Sequence, residues 1–93
     1  MSSDAEMADL IWDLGRCHGI TNEVVGAAYE QTALDTLRIC GVSGPDAEAT
    51  LEQSLLRARS KHPRMLPAQH RALAAHWVVR DLLRGLASRS DAA

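Results

Sequence analysis

Apolar residues recur at a helical period along most of the chain, and this pattern constrains the fold more than any other feature. They return every three or four residues, which places them on one face of a helix, and the alternation typical of strands is absent. The chain has no Phe, one Tyr and two Trp, so its core must be built from Leu, Val, Ile, Met and Ala. The sequence therefore predicts an all-α fold.

Glycine, proline and capping residues divide the chain into four predicted helices, at about residues 4–14, 22–40, 45–61 and 67–87. Pro45 and Pro67 stand at the first position of the third and fourth helices, where the missing N–H has no intrahelical partner to lose. The connections are short, so consecutive helices should run antiparallel. We expect one domain over residues 1–93, an up-down-up-down four-helix bundle with a disordered tail at residues 88–93.

The second, third and fourth predicted helices each carry an apolar stripe that is expected to face the core. On the second helix it comprises Val25, Tyr29, Thr32, Thr36, Ile39 and Cys40. On the third it comprises Ala47, Leu51, Leu55 and Ala58, and on the fourth Ala72, Ala75, Val79, Leu82 and Leu86. Cys40 is accordingly expected to be a small buried side chain.

Several large apolar side chains fall outside these stripes. At about 100° per residue, Trp12 lies roughly 150° from the stripe of the first helix, and Leu73 and Trp77 lie more than about 90° from that of the fourth. A helix that is apolar on two sides is either central in its bundle or part of an interface. We therefore predict a face of the first and fourth helices that binds another protein or a second copy of the chain, with Arg80 and Arg84 at its rim. Packing of both Trp rings inside the chain is the alternative.

Charge is distributed unequally along the sequence. Residues 1–52 contain ten acidic and two basic side chains, whereas residues 53–93 contain two acidic and eight basic ones. The basic stretch consists of Arg57, Arg59, Lys61, Arg64 and Arg71. These cations either pair with the acidic half of the chain or bind the phosphates of a nucleic acid.

A short motif bears on nucleic-acid binding. The run Leu37–Ser43 resembles the first helix and turn of helix-turn-helix proteins, which would imply binding to DNA. The resemblance covers seven residues, after which Gly44–Pro45 occupies the turn and the next helix carries Asp46, Glu48 and Glu52, which repel phosphates. Because of these departures from the motif, protein binding is the first hypothesis. A nucleic-acid-binding regulator that uses the basic stretch is the alternative.

The predicted topology places the loop before the second helix and the loop before the fourth at one pole of the bundle. Cys17, His18, His62 and His70 would then be neighbours, and these are residue types that bind zinc. Adjacent Cys17 and His18 can rarely ligate one ion, and no paired ligands at zinc-site spacing occur. No metal and no cofactor are therefore predicted.

Patterns associated with catalysis are missing from the sequence. There is no glycine-rich phosphate loop and no Glu-x-x-His pair, so we expect no enzymatic activity from this chain on its own. The run Trp12–Gly19 is similar to the opening of nitrile hydratase beta subunits, and a small accessory subunit of a larger enzyme is a further alternative. The acidic start, the absence of a long apolar run and the two cysteines predict a cytoplasmic protein, and we expect its source to be bacterial.

Overall fold

A computed structural model describes the backbone of residues 19–92 and the side chains of residues 19–85. Within these residues the chain forms three α-helices and no strand: α1 (Glu23–Ile39), α2 (Gly44–Lys61) and α3 (Pro67–Ala92). The predicted all-helical class is confirmed for this part of the chain, but the four-helix bundle is wrong, because the described fold is built from three helices. The predicted helix at residues 4–14 lies outside the described residues.

Helix α1 is bounded at both ends by local interactions that the sequence encodes. At its start, the Asn22 side-chain oxygen accepts a hydrogen bond of 2.8 Å from the Val24 N–H. At its end, Gly41 adopts a φ of 91°, and the Gly41 and Val42 N–H groups bond to the carbonyls of Arg38 and Leu37. This is a Schellman motif, in which glycine supplies the left-handed residue that ends a helix.

Helix α2 begins and ends near its predicted bounds, and α3 begins at the predicted residue. Pro45 lies in the first turn of α2, and the helix ends before Pro63. The Gln69 side-chain oxygen accepts a hydrogen bond of 2.8 Å from the N–H of Leu66, the residue before α3, and so caps a donor that the helix leaves unpaired. Helix α3 continues to Ala92 instead of ending near residue 87.

Helix α3 is the centre of the described fold, and α1 and α2 both pack on it more extensively than on each other. The predicted stripe of α2, from Ala47 to Ala58, is buried as expected. The Ser54 hydroxyl also donates a hydrogen bond of 2.8 Å to the Ala74 carbonyl, which joins α2 to α3. The buried core residues that pack together are Ala33, Leu37, Ala47, Leu51, Leu55, Ala58, Leu73, Ala74, Ala75, Trp77 and Val78.

The buried face of α1 differs from the predicted one. The structure buries Gly26, Ala33 and Leu37, while the predicted stripe that starts at Val25 lies mostly on the surface and Cys40 is exposed. The reason is a close approach of two backbones: a Cβ atom at Gly26 would lie 3.0 Å from the Ala68 carbonyl oxygen. Small side chains therefore face α3, and the larger β-branched ones are turned outward.

None of the three helices in the described part of the chain combines the length and the hydropathy that a membrane-spanning helix requires.

Candidate functional site

The predicted anchors on the fourth helix lie inside the protein. Leu73 is 0% exposed and Trp77 is 2% exposed, and both belong to the core between α2 and α3. Their predicted outward orientation is wrong, because α3 packs against helices on two sides and so buries more than one stripe. Trp12, the third predicted anchor, lies outside the described residues.

The predicted rim residues Arg80 and Arg84 lie on the C-terminal half of α3. The Arg80 guanidinium contacts the Asp81 carboxylate at 3.2 Å, and its side chain is only 16% exposed. Arg84 is exposed and, like Arg80, makes a further interaction of its own. With His76, Val79 and Leu83 these arginines line a shallow cleft of about 430 Å³. A partner-binding role for them stays a prediction.

One member of the basic stretch pairs with the acidic half of the chain. The Arg71 guanidinium lies 3.1 Å from a Glu23 oxygen and 3.4 Å from a Glu30 oxygen. These two carboxylates are seven residues apart on α1, so they share a helix face and bracket the arginine of α3. Arg71 therefore joins α1 to α3 and is not available as an isolated phosphate-binding cation.

Two other basic residues lie against the buried tryptophan. The Arg57 guanidinium carbon is 5.0 Å from the Trp77 ring centroid, and the Lys61 ammonium is 5.6 Å from it. Cations at this distance are attracted to the negative face of the ring. Arg59 and Arg64 are exposed, and within the part that the structure describes no carboxylate forms an ion pair with any of these four residues.

His62 and His70, which were considered above as zinc ligands, lie close together between the end of α2 and the first turn of α3. The His70 Nε2 atom is 2.6 Å from the His62 carbonyl oxygen, and the His62 Nε2 atom is buried without a hydrogen-bond partner among the described residues. Cys17 and His18 lie outside those residues. No group of three or more His, Cys, Asp or Glu side chains suited to a metal occurs in the described part of the chain.

The most extended uncharged surface of α1 is the stripe that was predicted to be buried. We call this surface the α1 strip; it comprises Val25, Tyr29, Thr32, Thr36, Ile39 and Cys40. Ile39 is 85% exposed and Val25 is 41% exposed. At about 100° per residue, Glu23, Glu30 and Arg38 lie about 80° or more from this row, whereas Asp35 lies one turn before Ile39 and borders it.

Two threonines of the α1 strip bond to their own helix. The Thr32 hydroxyl donates to the Ala28 carbonyl at 3.0 Å, and the Thr36 hydroxyl donates to the Thr32 carbonyl at 2.7 Å. Because these hydroxyls are satisfied within α1, a partner need not supply hydrogen bonds for them. The strip is therefore less polar than its composition indicates.

Sequence reasoning found the residues of the α1 strip but assigned them to the core. A signal for the correct face was present in Gly26 and Ala33, two small residues seven positions apart that permit close packing of helices.

Comparison with known proteins adds no assignment: the chain matches no family model, and neither the curated proteins nor the solved structures contain a match.

Proposed function

We propose that this chain is a non-enzymatic helical module that binds a helix of another protein through the α1 strip. The observation that carries the proposal is the exposed, uncharged row of side chains from Val25 to Cys40. Contiguous apolar surface on a small protein is typical of interaction sites. The proposed function is protein binding, as the sequence predicted, but the proposed site is the surface of α1 and not the buried Leu73 and Trp77.

The spacing of the α1 strip favours a helix as the bound element. Val25, Tyr29, Thr32, Thr36 and Ile39 follow one another at intervals of four, three, four and three residues. This is the spacing of the seam along which two helices pack at a small crossing angle. From residue 25 to residue 39 the seam is about 21 Å long at 1.5 Å per residue, which matches about four turns of a partner helix.

A cytoplasmic setting is part of the proposal. It is supported by Cys40, a free and exposed thiol at the end of the strip, because such thiols stay reduced in the cytosol. A small subunit of a larger enzyme is one form of the proposed module, since such a subunit also works by binding another protein. A homodimer is another form, in which the partner helix is α1 of a second copy.

The experiment compares two neighbouring valines. Val25 belongs to the strip. Val24 is 75% exposed, but it lies outside the strip, about 100° around the helix from Val25. A photo-cross-linking amino acid is introduced at position 24 in one variant of the full chain and at position 25 in another. Each variant is expressed in the native host, and the linked peptides are identified by mass spectrometry. We expect position 25 to yield one defined helical segment of a partner and position 24 not to yield it.

Substitutions to glutamate provide the control for the cross-links. Ile39→Glu should abolish the partner cross-link from position 25, because it places a charge in the seam, whereas Val24→Glu should leave it intact. Both changes are at exposed positions and should alter the stability by no more than about 0.5 kcal/mol. Equal cross-linking from positions 24 and 25, or cross-links that form only within a single copy of the chain, would contradict the proposal.

A further inference from the structure

We propose that the turn between α2 and α3 binds a phosphate group through Lys61 and Arg64, beside the half-buried side chain of His62. This site is separate from the α1 strip and does not depend on the proposed function. The turn forms a cleft of about 390 Å³ lined by Lys61, His62, Pro63, Arg64, Met65 and Gln69. Among the residues that the structure describes, no carboxylate lines this cleft.

The charged side chains that line the cleft in the described part of the chain are all basic. Lys61 and Arg64 both line the cleft, and Arg57 lies one helical turn before Lys61. Asp81 lines a different cleft together with Arg57, but its carboxylate contacts Arg80 at 3.2 Å. Like charges four residues apart on a helix repel each other, so Arg57 and Lys61 are a pair whose repulsion an anion would relieve.

The Trp77 ring holds these two cations in place. Both lie over the ring, at 5.0 Å for Arg57 and 5.6 Å for Lys61, and the ring itself is fixed in the core. Attraction to the ring offsets part of the repulsion between them. Lys61 is therefore held near the cleft before any ligand arrives, and less side-chain freedom is lost on binding.

The half-buried side chain of His62 also lines the cleft. Its Nε2 atom is buried and has no hydrogen-bond partner among the described residues, which is costly unless a ligand or water satisfies it. Its backbone carbonyl is already used, since it lies 2.6 Å from His70 Nε2. The dipole of α2 favours basic residues in its last turn, such as Lys61. Arg64 lies beyond the end of the helix, so the dipole does not account for its position. The dipole also does not account for the unpartnered His62 nitrogen.

Two cations that line one cleft suit an oxyanion with several acceptor oxygens. Arginine binds phosphate oxygens in a fork, and lysine binds them as a point charge. The same chemistry is offered by the backbone of a nucleic acid and by a free phosphate compound. The test therefore begins with inorganic phosphate and then separates the two sources.

The experiment uses the full chain with the substitution Trp12→Phe, so that Trp77 is the one remaining tryptophan. Inorganic phosphate is titrated at constant ionic strength, and binding is followed by Trp77 emission and by calorimetry on the same sample. We expect saturable binding, with an accompanying change in emission because an anion beside Lys61 alters the electrostatic field at the Trp77 ring. Arg64→Gln should weaken the affinity by about tenfold, as expected for the loss of a charge-assisted hydrogen bond.

Arg59→Gln is the matched control. It removes the same charge from a residue that is exposed on α2 and does not line the cleft, so the affinity should stay within about twofold of the parent. No calorimetric binding, or an equal loss of affinity in both variants, would overturn the proposal. Displacement of the bound phosphate by a DNA duplex would support the proposed site and identify a nucleic acid as its ligand. Displacement by a mononucleotide but not by the duplex would support the site and identify a free phosphate compound as its ligand.

Discussion

A methyl group added at Gly26 should destabilise the protein, although the same change usually stabilises a helix. In an open helical position, alanine is favoured over glycine by about 0.8–1.0 kcal/mol. At Gly26 the new Cβ would lie 3.0 Å from the Ala68 carbonyl oxygen and 3.2 Å from the Ala68 Cα. Both are backbone atoms of α3, so the contact is relieved only if α1 and α3 move apart.

The magnitude follows from these two opposing effects. Forcing extra volume into a packed contact costs about 1–3 kcal/mol, which outweighs the gain in helix propensity. We therefore expect Gly26→Ala to lower the free energy of unfolding by about 1 kcal/mol. For a chain of this size that corresponds to a melting temperature lower by about 4–8 °C.

Gly85 provides a matched control within α3. A Cβ atom there meets nothing within 4 Å, so Gly85→Ala should raise the stability by up to about 1 kcal/mol. Urea denaturation followed by circular dichroism gives both values under the same conditions. If Gly26→Ala stabilises the protein as much as Gly85→Ala does, the close contact between α1 and α3 does not exist.

The remaining predictions concern the core ring and the ion pairs between helices. Trp77→Ala should cost about 3–5 kcal/mol or prevent folding, while Trp77→Phe keeps the fold; a Trp77→Ala protein that melts near the parent temperature would place the ring outside the core. Arg71→Gln should lower the free energy of unfolding by about 0.5–1 kcal/mol in dilute buffer, because the pairs with Glu23 and Glu30 are partly exposed. That difference should shrink in concentrated salt, and an unchanged difference would show that the ion pairs are not its cause.

The candidate surfaces were only partly predictable from the sequence. The residues of the α1 strip and the basic residues of the turn were both identified, but their surroundings were not. Whether Arg71 pairs with a carboxylate depends on which helix packs beside it, and the charge pattern was compatible with Glu23, Glu30 or a phosphate as the partner. The position of Lys61 over Trp77 joins residues sixteen positions apart and has no local signature.

The sequence by itself determined where the described helices begin, where α1 and α2 end, and which face of α2 is buried. These features depend on short-range physics: proline at a first turn, Gly41 at a helix end, and one unambiguous apolar stripe from Ala47 to Ala58. Only the tertiary structure decided which side of α1 faces inward and that Trp77 is internal. Helical periodicity assigns each residue an angle around the helix axis, but which of two apolar faces is buried depends on how closely two backbones can approach. In α1 the face that contains Gly26 is buried, because glycine allows its backbone to approach that of Ala68.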